Sequence, residues 1–122
     1  MAFGSTLTLT VNAVAKVLNR INDENYGSEY YLRNAGVEEY RVVIRHSKES
    51  PLSDGKRMDR HLVTVTHTVF GVSPALDVQR IVTFTVRCKE NDDLTAFGYL
   101  FAGAVDYVDN ATVQGDLLTW QS

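Results

Sequence analysis

The chain has 122 residues, 44% of them hydrophobic and 22% charged, the profile of one ordinary domain with a single modest core. Its net charge of -3 taken alone argues against a nucleic-acid partner, and its one cysteine, Cys88, excludes an internal disulfide and any multi-cysteine metal site within the chain. No charged-then-apolar leader is visible, and no uninterrupted apolar run approaches the roughly 20 residues of a membrane helix, so the expectation is a cytosolic chain with no membrane partner.

The opening stretch alternates Thr6, Thr8 and Thr10 with Leu7, Leu9 and Val11, the period of a half-buried strand. Asn12 and Ala13 read as a turn, and residues 14–19 as a return strand. A polar loop, "NDENYG", follows, then the short aromatic strand "SEYYLRN". Three long alternating strands come next: "EYRVVIRHS" (39–47), "RHLVTVTHTVF" (60–70) and "VQRIVTFTVRC" (78–88). The connectors at 48–59, with Pro51 and Asp54-Gly55, and at 71–77, with Pro74, have lengths that join antiparallel neighbours.

After Cys88 the apolar period lengthens from two to 3.6. Leu94, Phe97, Leu100, Phe101, Ala104, Val105 and Val108 form one helical stripe, with Asn91 or Asp92 as the expected cap. A break at Asp109-Asn110 offers a second cap, and Val113, Leu117 and Trp120 continue a shorter helix. Strands followed by helices predict an α+β fold with an antiparallel meander.

The strands sort into two faces. Tyr40, Val42, Ile44 and His46 join Val63, Val65, His67 and Val69, and Val82, Phe84, Val86 and Cys88, as apolar rows expected to lie under the helices. The opposite rows are Arg41, Val43, Arg45 and Ser47; Arg60, Leu62, Thr64, Thr66 and Thr68; and Gln79, Ile81, Thr83, Thr85 and Arg87. Such a face meets either solvent alone or a partner, and the residues leave both readings open. Charge is also uneven: all 12 Lys and Arg lie within residues 1–89 beside nine acids, whereas 90–122 hold six acids and neither Lys nor Arg.

Single residues favour plain structural roles. His46 and His61 are placed to face each other, but two ligands are too few for zinc, and His67 reads as a hydrogen-bonded core histidine. Cys88 continues an apolar row as a buried thiol. The acids at 90–93 cap a helix, and a calcium site between subunits would need further oxygen ligands. No nucleophile with a base, paired carboxylates in a cleft or glycine-rich phosphate loop is present, so neither catalytic residues nor a cofactor or metal is expected.

The N-terminal hairpin, the long strands and the final "CKENDDLTAFGYLFAGAVDYV" with its terminal helix together resemble the coat proteins of single-stranded RNA bacteriophages, the levivirus type. The stretches "TLTVNAVAKVLNRI", "EYRVVIRHS" and "TVRCKENDD" carry the likeness, which extends over essentially the whole chain. The resemblance implies one coat-protein domain over 1–122: a hairpin (1–20), a main sheet (28–88) and two dimerisation helices (91–121). It implies a homodimer whose sheets join edge to edge with helices exchanged across a two-fold axis, through Leu94, Phe97, Leu100, Phe101, Val105, Val108, Leu117 and Trp120.

Such dimers would build an icosahedral shell, assembled in the bacterial host cytoplasm and resident in the virion. Its inner face would bind genomic RNA and an operator-like hairpin that represses replicase translation, with no small-molecule substrate. The RNA-binding positions implied are the polar rows without Thr68 and Ile81, with Arg45, Arg60 and Thr64 foremost. Family members place hydroxyls or lysines in the base-holding pocket where this chain has Val43 and Leu62.

The residues Gly71, Val72, Ser73, Pro74, Ala75, Leu76 and Asp77 correspond to the loop around the shell's symmetry axes. Some relatives crosslink it with cysteines, which it lacks, so shell stability is expected to come from non-covalent contacts or divalent ions. The competing readings are a dimeric α+β enzyme or small-ligand protein using the polar face as a pocket, and a host RNA-binding regulator that stops at the dimer.

Overall fold

The computed structural model describes residues 4–24, 26–72 and 75–121, excluding the side chain of Glu24. It divides into two compact units, residues 1–87 and 88–122. Six strands form one sheet in the order β1-β2-β3-β4-β5-β6: β1 Thr6–Val11, β2 Val14–Glu24, β3 Gly27–Asn34, β4 Glu38–Lys48, β5 Met58–Val69 and β6 Val78–Lys89. Two helices follow, α1 Leu94–Val108 and α2 Ala111–Leu118.

β1 and β2 pair from Thr6 opposite Asn19 to Val11 opposite Val14, leaving Asn12 and Ala13 as a two-residue turn. Their φ angles of 51° and 63° are both left-handed, which the right-handed twist of a tight hairpin requires. Asn tolerates that conformation; Ala does so at a cost.

The buried core consists of Leu18, Tyr30, Tyr40, Val42 and Ile44, with Leu7, Leu9, Leu32, Val63 and Val65 packed against it. Three of these residues come from the hairpin, so in the single chain β1 and β2 supply part of the cover that sequence reasoning assigned wholly to the helices. The physical cause is a register shift in β2 between Arg20 and Asn22: Ile21 is an extra residue, and a bulge of this kind bends a strand and increases its twist. The sheet curls accordingly, bringing Leu7, Leu9 and Leu18 against the β3–β4 side chains. The fully buried Tyr30 ties the two parts together, its hydroxyl donating to the Gly4 carbonyl at 2.6 Å.

In the helical unit, Asp93 caps α1, its carboxylate accepting from the N–H groups of Thr95 and Ala96. This corrects the expected cap. Asn91 is left-handed, with φ 65°, and Asp92 instead accepts from the Asp93 N–H, so neither sits where a cap must. Asn110 caps α2 as expected from the Asp109-Asn110 break. Trp120 lies beyond the end of α2, at φ 65°, so the second helix stops short of it.

Replacing Ala13 by Gly removes the left-handed Cβ clash at the hairpin turn. Urea denaturation should show a gain of about 0.5–1 kcal/mol, the clash relief less the entropy cost of glycine.

Candidate nucleic-acid interface

The ladder between β4 and β5 runs unbroken from Glu38 opposite Val69 to Lys48 opposite Asp59. It sets Arg41 opposite Thr66, Val43 opposite Thr64, Arg45 opposite Leu62 and Ser47 opposite Arg60, so the two polar rows read from the sequence become one surface. On the reverse side Val42 faces Val65, Ile44 faces Val63 and His46 faces His61. Two side-chain contacts fix the parity of β6: Arg80 Nη1 lies 3.4 Å from His67 on the apolar side, and Arg87 pairs with Glu49, which continues the Arg41-to-Ser47 row. Gln79, Thr83, Thr85 and Arg87 all share the parity of Arg87 and are exposed.

β3 adds residues that sequence reasoning left unsorted. Its register puts Tyr31 beside Arg41, Glu29 beside Val43 and Gly27 beside Arg45. Their signal was present in the alternation of Glu29, Tyr31 and Arg33 against Ser28, Tyr30 and Leu32 within one short strand.

These neighbours alter the electrostatics. Arg41 pairs with Glu29, and its guanidinium lies over the Tyr31 ring, 4.9 Å from the centroid. The Tyr31 hydroxyl donates to Glu39 at 2.6 Å, and that bond holds its pKa above the ordinary value. Arg87 donates from Nε and Nη2 to the two Glu49 oxygens at 2.5 and 2.7 Å. The same contact holds the Glu49 carboxyl below its ordinary range.

Arg45 and Arg60 are exposed, and among the described residues no ion pair engages either. Arg45 lies directly over Gly27, where a Cβ would come within 2.9 Å of both Arg45 Cδ and the Ile44 carbonyl oxygen. Glycine is what lets the arginine lie flat on the sheet. Val43, Leu62, Thr64 and Thr66 are half-buried beside these cations. The combined surface offers exposed guanidinium groups, hydroxyls and small apolar side chains, the groups that hold phosphates and receive unstacked bases.

His46 and His61 meet as expected, Nδ1 to Nδ1 at 2.9 Å, in a cleft of about 470 Å³ lined also by Tyr26, Ser47, Lys48 and Asp59. His67 stacks on Tyr40 and donates from Nε2 to Glu38 at 3.0 Å. Among the described residues no three His, Cys, Asp or Glu side chains gather as a metal site.

The positions expected to join subunits are solvent-facing in the single chain. Leu94, Leu100, Phe101, Val105, Val108, Leu117 and Trp120 are exposed and Phe97 is half-buried; Tyr99, Tyr107 and Leu118, outside the predicted stripe, are exposed as well. In the 71–77 loop, Ser73 and Pro74 lie outside the described residues. Around them the Gly71 N–H donates to the Asp77 carboxylate at 2.8 Å and the Ala75 N–H to the Val72 carbonyl at 2.7 Å, so Asp77 anchors one base of the loop.

A six-stranded antiparallel sheet followed by two C-terminal helices is the levivirus type of coat fold. The chain is similar in structure to one from the virus-like particle of Beihai levi-like virus 21, with a TM-score of 0.71, 12% sequence identity, and coverage of 97% of this chain and 95% of that one. No curated protein matches the sequence. Residues 4–89 match the family model described as "Phage phiCb5, coat protein", and the chain belongs to that family of phage coat proteins. It is a structural protein of the capsid and not an enzyme.

The hydrogen bond from His67, followed by the charge of Lys16, holds the Glu38 carboxyl below its ordinary value near 4.5 against partial desolvation. A depressed folded-state pKa contributes stability that is full above pH 4.5 and is lost as pH falls through the lowered value. Glu38→Gln should therefore be less stable than wild type at neutral pH and lose less on acidification below pH 4.5, read from urea midpoints against pH.

Proposed function

We propose that this coat protein dimerises by joining sheets at β6, exchanges its helices across the two-fold axis to complete one coat-protein domain, and assembles into an icosahedral shell around single-stranded RNA. The polar sheet face lines the interior, holds genomic RNA and binds an operator-like hairpin that represses replicase translation. Assembly takes place in the bacterial host cytoplasm. The residues 71–77 surround the shell's symmetry axes.

The observation that carries the RNA reading is the register of β4 against β5, which gathers Arg41, Arg45 and Arg60 with Thr64 and Thr66 on the face opposite the core. Arg45 and Arg60 are its principal phosphate contacts, and Thr64 faces the half-buried Val43 one same-face step along from the Arg45–Leu62 pair. Support for the dimer comes from β6. It ends the sheet order, and Ile81, Val82 and Phe84 are exposed on its two faces. A terminal strand with apolar side chains is an aggregation hazard unless another strand or helix covers it, and a two-fold axis closes the contact without leaving a new edge. The exposed apolar side chains of both helices need the same remedy.

Expression of the full chain alone in bacteria, followed by size-exclusion chromatography and electron microscopy, tests the assembly. Closed particles with a nucleic-acid absorbance spectrum are expected, and a nucleic-acid-free dimer across several salt concentrations would refute the reading. For the face itself, Arg45→Ala and Arg60→Ala should each weaken binding to single-stranded RNA and flatten its salt dependence by about one phosphate contact. Binding and slope unchanged in both variants would remove those two side chains from the interface.

A further inference from the structure

Arg87 belongs to the polar face, yet its guanidinium fork is already filled. We propose that Glu49 is a built-in competitor for RNA phosphate at Arg87, a carboxylate that must be displaced before the backbone of a single strand can dock there. The proposal rests on the RNA-binding reading of the polar face.

Three features support competition over simple scaffolding. The contact is bidentate, Nε and Nη2 of Arg87 to the two Glu49 oxygens, and so uses the donor pair that a guanidinium presents to a phosphate. Glu49 is held in place by the main chain, because its N–H donates to the Met58 carbonyl at 2.9 Å and extends the β4–β5 ladder by one step. The carboxylate therefore stays near the fork once displaced. Finally, the pair is open to water, the Arg87 side chain being 52% and that of Glu49 29% exposed, and a solvated ion pair exchanges partners at little cost.

The Arg41–Glu29 pair differs, since its guanidinium also lies over the Tyr31 ring. Arg60 lies close enough for its charge to act on the Glu49 carboxyl, so Glu49 damps the field of two of the face's cations. The consequence is a surface that holds isolated RNA weakly and gains a phosphate contact only where neighbouring contacts already position the strand.

The test is binding of full-length protein to a short fluorescein-labelled oligouridylate, followed by anisotropy over a salt series, for wild type, Glu49→Gln, Glu49→Ala, Arg87→Ala and the double variant Glu49→Gln/Arg87→Ala. Asp116→Asn, a surface change of equal charge in α2, is the control. Both Glu49 variants should bind several-fold more tightly, with a log–log salt slope steeper by about 0.7, one further phosphate on a single strand. Asp116→Asn should leave both quantities unchanged, and the gain should vanish in the Arg87→Ala background. Weaker or unaltered binding in both Glu49 variants would overturn the proposal, showing a carboxylate that merely positions Arg87. A gain that persists without Arg87 would overturn it too, as a general field effect. Failure of wild type itself to bind at low salt is a separate result that refutes the RNA reading of the face.

Discussion

The pairing of β4 with β5 is the constraint on which the rest of the molecule depends. Side chains alternate with a period of two, so a slip of one residue would turn Tyr40, Val42 and Ile44 to solvent and drive Arg41 and Arg45 into the core. Exposing a core side chain of that kind costs about 1.5–3 kcal/mol. Burying an unpaired guanidinium costs several more. These penalties add over Tyr40, Val42 and Ile44 on one side and Arg41 and Arg45 on the other, so the register is strongly held. The arginine face is thus a by-product of core packing, its backbone positions set by the register that buries the opposite row.

The hairpin adds a second level of control. Its two-residue turn sets β1 against β2, and the bulge at Ile21 swings both strands over the apolar rows. Leu18 is then fully buried, and Tyr30 reaches the Gly4 carbonyl at the base of the hairpin. This arrangement packs one end of the sheet within the chain. β6, the last strand of the sheet, keeps apolar side chains exposed, and so, in their own unit, do the two helices. That asymmetry suits a subunit whose folding is finished by its neighbour, since the surface already covered cannot compete with the one proposed for dimerisation.

Much of this was legible in the sequence because it rests on local periodicity. The three long strands, the turn at Asn12-Ala13, the change of period after Cys88 and the division of rows all follow from patterns within about a dozen residues. The less legible features depend on contacts between distant segments. Glu49 and Arg87 are 38 residues apart and Glu29 and Arg41 are 12 apart, and neither pair has a signature before the register is known. The cap of α1 was missed for a backbone reason: four polar residues in a row offer several candidates, and the left-handed turn at Asn91 decides that Asp93 receives the helix. Gly27 reads in sequence as a loop glycine, whereas its role is to clear space for Arg45.

Net charge was the most misleading summary of the chain. At -3 it hides a sheet face with five arginines, Arg33, Arg41, Arg45, Arg60 and Arg87, opposed on that face by Glu29, Glu39 and Glu49. The face is thus only mildly positive in each copy. On the proposed RNA-binding reading this suits a shell, because affinity for a long RNA would be set by the sum over many tethered copies and would need little from any one of them. A strongly basic face would bind cellular RNA before assembly and lose discrimination, since phosphate contacts carry no sequence information. If the face holds RNA as proposed, partial neutralisation by Glu29, Glu39 and Glu49 would leave single subunits weak binders while the assembled array accumulates enough contacts to hold a genome.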